Sequence, residues 1–212
     1  MKADFCGKRL SVVDISCESR DKEEISVIRS WNPLIYMGHR CTFTGLRVKS
    51  HRGAYIETSG HVFRNGKNVH DIPLNRLLLP FSLIRVKTCG KREITASDLE
   101  RNGAHVRKGD ALLVHTACNI SKRRSSWPYF SRDAAEWMVS KNIALFGSDT
   151  PRYDRGFATG KGLFLVLFKA EVSVIANICS LDKITSKRGW LIALPLSVRN
   201  APTLPCRAIV LF

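Results

Sequence analysis

The chain is short of acid. Across 212 residues, 18 aspartates and glutamates stand against 34 lysines and arginines, a formal net charge of +16 with a pI near 10.0. That imbalance favours anionic partners and surfaces but says nothing direct about fold. Long apolar runs are missing too. None reaches the ~18 residues that suggest a membrane span. The longest, Leu163–Phe168 and Leu191–Leu196, have the length of core elements. The N-terminus is basic, but the apolar stretch behind it, Leu10–Ile15, is short and carries Asp14, so no cleavable signal peptide is expected. The seven cysteines (Cys6, Cys17, Cys41, Cys89, Cys118, Cys179 and Cys206) are scattered, odd in number and contain no CxxC pair. This argues against a zinc ribbon and a disulfide framework. Free cysteines pack as small hydrophobes, and the expected compartment is reducing, hence cytoplasmic. A P-loop, a GxGxxG turn and a GxSxG elbow are all absent, as are helix-turn-helix, zinc-finger and RNP signatures.

What is present is an ordinary globular mix, 44% apolar and 25% charged. No repeat or long Pro/Gly/Ser linker divides it, so one domain over 1–212 is expected. Val and Ile content marks strands at Leu10–Ser16, Cys41–Val48, Ala54–Thr58, Leu83–Val86 and Ala111–Thr116. Further strands are read at Ile143–Phe146, Val172–Ala176, Trp190–Leu196 and Arg207–Phe212. Asn32-Pro33 breaks the segment Asp21–Tyr36, which reads as irregular, and Asn65-Gly66 marks a turn. Thr95 with Asp98, and Ser131 ahead of Ala134, Ala135, Met138 and Val139, carry helix-start signals. A third helix is placed over Gly162–Ala170. Strands alternating with helices indicate an α/β domain with a mixed sheet.

Three constellations could carry chemistry. In His51-Arg52-Gly53-Ala54-Tyr55-Ile56-Glu57-Thr58-Ser59-Gly60-His61, two imidazoles and a carboxylate lie within eleven residues. On a strand, positions 51, 55 and 57 share a side, with His61 returning from the following loop. Imidazole nitrogen with carboxylate oxygen suits zinc or manganese, and a surface His beside a solvated Glu is the plainer reading. Gly147-Ser148-Asp149-Thr150-Pro151 follows a strand, a common ligand position in α/β sheets and equally a simple Asp turn. Finally, Lys122-Arg123-Arg124 and the series His39, Arg40, Arg47, Lys49, His51, Arg52 are basic. Trp127, Tyr129 and Phe130 follow the first run and could stack on bases, although a solvated basic surface accounts for them as well.

The order of these pieces resembles the cyclase family of metal-dependent hydrolases, to which bacterial kynurenine formamidase belongs. The family hallmark, H-x-G-T-H-x-D-x-P-x-H, falls on His51 to His61. The flanks are similar in order. His61-Val62-Phe63 through Asn65-Gly66-Lys67 and Asp71-Ile72-Pro73-Leu74 is one, and Lys108-Gly109-Asp110-Ala111-Leu112-Leu113 another. Leu145-Phe146-Gly147-Ser148-Asp149-Thr150-Pro151, Ile175-Ala176-Asn177-Ile178-Cys179-Ser180-Leu181 and Ile192-Ala193-Leu194-Pro195-Leu196 follow, and Val13-Asp14-Ile15-Ser16 is similar to the family opening. The resemblance covers nearly the whole chain. It implies a single-domain swivelling β/β/α fold and a homo-oligomer, dimer or tetramer, with Trp31 and Tyr36 of the N-terminal third reaching toward a neighbour's pocket.

The departures fall on the chemistry. By the resemblance, metal is expected at His51, Glu57 and His61, with His61 also placed for proton transfer. Family ligand positions are substituted at Tyr55, Phe164 and Ala176, and the His of the opening is Cys17. Tyr55, Phe164 and Ala176 would then line a substrate pocket. Tyrosine ligates poorly while its phenol, near ~10, stays protonated. Two function classes follow from the resemblance. One is a catalytically diverged protein on the family fold, holding no metal. The other is a hydrolase of amides, lactams or lactones using zinc or manganese at a rebuilt site. A basic nucleic-acid-binding module is a distant third, and no membrane partner is expected.

Overall fold

The computed structural model describes residues 2–5, 7–17, 25–86, 93–118, 127–154 and 162–212. The basic run Lys122-Arg123-Arg124 lies outside them, as do Asp21 to Glu24.

Nine strands form one mixed sheet. In spatial order they are β1 (Lys2–Phe5), β2 (Lys8–Asp14), β13 (Thr203–Leu211), β12 (Arg188–Pro195), β6 (Leu78–Arg85), β8 (Ala111–His115), β10 (Leu145–Ser148), β11 (Ser173–Ala176) and β5 (Tyr55–Glu57). The middle of this order, β6 to β11, is parallel, and the rest is antiparallel. The sheet closes on itself because β5 pairs with β11 through Glu57 opposite Val174 and with β13 through Glu57 opposite Thr203. Closure removes two strand edges.

Period-2 alternation then sorts side chains to the two faces of the closed sheet. Ala111 and Leu113 of β8, Ile175 of β11 and Ile56 of β5 join one apolar core with Leu79, Phe81, Leu191 and Val210. Leu112, Val114, Val174 and Ala176 point the other way. There they meet helices α1 (Ala96–Asn102), α2 (Arg132–Ser140) and α3 (Leu163–Lys169) in a second core. The helices start where the residues provide acceptors for free N–H groups. The Thr95 N–H donates to Asp98 Oδ2 at 3.1 Å, and Ser131 Oγ accepts from the Ala134 N–H at 3.3 Å. Mixed α/β content in a single domain with a mixed sheet is therefore what the alternation pattern anticipates.

Two polar pins hold the parallel strands. Asp110, buried ahead of β8, accepts from Ser82 Oγ at 2.6 Å and from both Arg188 Nη atoms at 2.6 and 3.0 Å. The buried Tyr153 hydroxyl lies 2.8 Å from the Ser148 carbonyl oxygen and 2.7 Å from that of Ile175, and accepts from the Ser148 N–H at 2.8 Å, tying β10 to β11.

Four expectations need correction, the first being the strand read at Leu83–Val86, which begins five residues earlier as β6 (Leu78–Arg85). Residues 25–36 are not irregular: they form strand β3 (Ile25–Tyr36), paired antiparallel with β4 (His39–Val48) in a separate two-stranded arm. The Asn32-Pro33 break is real, but it appears as a register shift between Trp31 and Ile35 within the strand. Proline has no N–H to give the ladder and is accommodated at bulges. The side chains of Trp31 and Tyr36 lie outside the described residues. The strand after Ile143 begins at Leu145 and runs through Gly147 to Ser148. The last strand starts at Thr203 rather than Arg207, and those added residues are the ones that close the sheet on β5. Among the described residues, the short strands β7 (Glu93–Ile94) and β9 (Tyr129–Phe130) pair only with each other.

Candidate metal centre

Sequence periodicity places 51, 53, 55 and 57 along one strand, but β5 is only three residues long. Tyr55 and Glu57 do share its helix-side face. His51 arrives differently, from a turn in which Gly53 takes φ +61, a conformation a side chain would disfavour. His61 ends a short helical turn over Ser59–His61. That turn is held by close backbone approach to the following segment. The Gly60 N–H donates to the Lys67 carbonyl at 2.9 Å, and Thr58 Oγ1 donates to the same carbonyl at 2.5 Å. A Cβ on Gly60 would sit 2.5 Å from that oxygen, and one on Gly66 would collide with the Ser59 carbonyl carbon. The two glycines thus fix where His61 points.

These routes converge. His51 Nε2 lies 3.0 Å from Glu57 Oε1, and His61 Nε2 lies 3.6 Å from the same oxygen. One ligand-capable atom from each of the three residues lies within 4.8 Å of the others. The two imidazole rings are 5.0 Å apart between centroids, and Tyr55 sets its ring edge-on to His51 at 5.1 Å. Glu57 is 5% exposed, whereas His51 and His61 are 43% and 30% exposed, so the carboxylate forms the floor and the imidazoles the open rim.

The electrostatics match that layout. Burial pushes the Glu57 carboxyl up, and the neighbouring His61 charge opposes this only in part. Burial lowers His51, so its imidazole is neutral near pH 7 and able to ligate. Burial and then the Glu57 charge push the Tyr55 phenol well above its ordinary value, so it remains a neutral wall rather than a ligand. Ser50 Oγ lies 2.9 Å from His51 Nδ1. A hydroxyl can donate or accept, so it supports either tautomer, including the one that frees Nε2. Thr203 Oγ1 stands 3.5 Å from His61 Nδ1 on the far side.

The triad opens into a depression of about 250 Å³. Its lining includes His51, Tyr55, Glu57 and His61, with Phe164 from α3 and Ala176 from β11, and Ala176 lies beside Tyr55, its partner in the sheet, rather than across the depression from it. Four further residues line it that sequence reasoning did not assign to it: Trp127, Pro151, Arg152 and Tyr153. Tyr153 stacks on Phe164 at 6.3 Å between centroids. Trp127 carried an aromatic signal read for base stacking, whereas Arg152 and Tyr153 carried none beyond following Thr150-Pro151. Asp149 does not enter the cluster. It folds its own loop instead, accepting from the Thr116 N–H at 2.8 Å, Thr116 Oγ1 at 2.7 Å and the Ala117 N–H at 3.1 Å.

Two imidazoles and one carboxylate match the three-protein-ligand set of catalytic zinc sites, which keep a further position open. The donor set therefore fits a divalent metal, held by three residues with an apolar lining beside them.

A closed mixed sheet with helices against its outer face thus carries a His–Glu–His cluster in an α/β domain. Residues 9–155 match the family described as Cyclase, and the chain belongs to that family. It is similar to a kynurenine formamidase of Bacillus thuringiensis subsp. konkukian, 28% identical over 170 residues that cover 78% of each chain. Among solved structures it superimposes on a potential metal-dependent hydrolase with cyclase activity (TM-score 0.75, 21% identity, 95% of this chain and 98% of that one). Isatin hydrolase A from Labrenzia aggregata shares the fold equally well (TM-score 0.75, 18% identity, 95% and 93% covered).

Proposed function

We propose that the chain is a metal-dependent hydrolase of a small amide, lactam or lactone, working with a three-ligand divalent site of zinc or manganese at His51, Glu57 and His61. The observation that carries this reading is the convergence of both imidazole Nε2 atoms on one buried carboxylate oxygen. A divalent metal at such a site polarises a carbonyl and supplies a nucleophilic water near neutral pH. The chain's own residues do the rest. Glu57 anchors the floor, and Ser50 orients His51. His61 closes the site at its open rim, with Nε2 toward Glu57 and Nδ1 toward Thr203 Oγ1. Tyr55, Phe164 and Tyr153 form an apolar wall that excludes water from one side of a planar group. A relative is named kynurenine formamidase and a structural neighbour isatin hydrolase A, and an aryl formamide is accordingly the first substrate to try. Metal-loaded protein should hydrolyse it, and His51→Ala should abolish the activity.

One observation favours a second reading. Phe164 and Ala176 line the depression, with no ligand from either. On that reading the fold is retained, the site holds no metal, and the protein is catalytically diverged. Protein that stays metal-free with zinc and manganese in excess would select it. A homo-oligomer fits both readings. The β3–β4 arm pairs with no other strand among the described residues, and light scattering tests whether copies associate.

A further inference from the structure

Beside the metal depression, two free thiols meet across a strand junction that the proposed chemistry does not use. Ser16, just past β2, forms an antiparallel bridge with Ile178, just past β11. The bridge is fixed on both sides: the Cys17 N–H donates to the Asn177 carbonyl at 3.2 Å, and the Cys179 N–H donates to the Ile15 carbonyl at 2.8 Å. In an antiparallel pair, residues one step from a bridged pair project to the opposite face from it. Cys17 and Cys179 therefore share a face in diagonal positions, Cys17 opposite Asn177 and Cys179 opposite Ile15, and after burial the Cys179 side chain is the main influence on the Cys17 thiol. Asn177 and Ser180 both adopt left-handed backbone conformations, φ +53 and +59, so Cys179 sits in a sharply turned segment rather than a regular strand. Both thiols are free and neither is fully buried.

We propose that Cys17 and Cys179 are a redox-modifiable pair that a peroxide closes into an intramolecular disulfide. The balance is simple. One thiol sulfur attacks a peroxide oxygen, the O–O bond breaks, and a sulfenic acid and one water form. The second thiol then attacks the sulfenic sulfur, the S–S bond forms, and the hydroxyl leaves with a proton as a second water. Two electrons pass from the sulfurs to the peroxide.

The position gives the bond a consequence. Cys17 also abuts the turn that delivers His51, its carbonyl lying 3.4 Å from where a Cβ on Gly53 would be. Cys179 lies three residues beyond Ala176, which lines the depression at the end of β11. Closure would tie the segment packed against the His51 turn to the segment that follows β11. Burial, and then the contact with Cys179, push the Cys17 thiol up to about 12.

The test is non-reducing peptide mapping of the reduced full chain after treatment with hydrogen peroxide. A cross-linked pair of peptides containing Cys17 and Cys179, lighter by two hydrogens and separated by dithiothreitol, is the expected result. It should vanish in Cys17→Ser and in Cys179→Ser. The wild-type map alone decides the matter if either variant folds poorly. A raised thermal midpoint of the oxidised protein, reversed by reductant, is expected alongside. Recovery of both residues as free thiols, as separate sulfinic acids, or linked to other cysteines would overturn the proposal.

Discussion

At the scale of single residues, the decisive group is Glu57. It is the only buried member of the triad, and both imidazoles address the same one of its oxygens. Glu57→Gln keeps the shape but removes the charge, and we expect divalent-metal affinity to fall by more than about tenfold, measured by titration calorimetry. The converse change is Ala176→Glu together with Phe164→His, which places ligands on the bare wall. Tighter metal binding than wild type is the expected outcome, and unchanged binding would mean that the wall does not face the ion. Residue types and spacing group His51, Tyr55, Glu57 and His61 as one constellation, and the family resemblance is what singles out His51, Glu57 and His61 as ligands. Arg152 and Tyr153 were not legible in the sequence. Their place in the depression depends on how the loop after β10 folds back on α3, which no local pattern records.

At the scale of elements, the site depends on a turn and two polar pins. Gly66 lies against Ser59 so closely that any side chain collides with the backbone of the turn carrying His61. Gly66→Ala should destabilise the fold by roughly 2 kcal/mol or more and weaken metal binding with it, as thermal denaturation and calorimetry would show. The second element-scale prediction concerns Asp110. Burial alone would raise its carboxyl, but hydrogen bonds from Arg188, Ser82 and the Arg107 N–H hold it below its ordinary value. A carboxyl lowered in the folded state stabilises the fold above its unfolded value of ~3.9. That contribution is lost as pH falls through the lower folded value. Asp110→Asn should therefore cost about 2–3 kcal/mol near neutral pH and flatten the acid limb of a stability profile measured by urea denaturation. Strand content and helix caps were readable because they are local. The β3 strand was missed because Asn32-Pro33 marks a bulge as readily as an end, and only the partner strand β4 distinguishes the two.

At the scale of the molecule, the sheet closes because β5 is shared between β11 and β13. That pairing joins residues near 55 to residues near 175 and 205, and the chain's own periodicity cannot announce it. The family motif order anticipated the fold, while the closure explains why a three-residue strand can carry a site at all. It is braced on both edges and faces the helices with Tyr55 and Glu57. The excess positive charge remains spread over the chain, and the described residues concentrate none of it at the metal depression beyond Arg152. No helix among the described residues is long and apolar enough to cross a membrane. The central claim is that three residues of this scaffold hold a divalent metal. Elemental analysis of protein purified without chelator, wild type beside His51→Ala, tests it most directly. The account predicts about one zinc or manganese per chain in the wild type, as three protein ligands suffice for a catalytic zinc, and a large loss in the variant. Wild-type protein without stoichiometric metal, or equal metal in both, would contradict it.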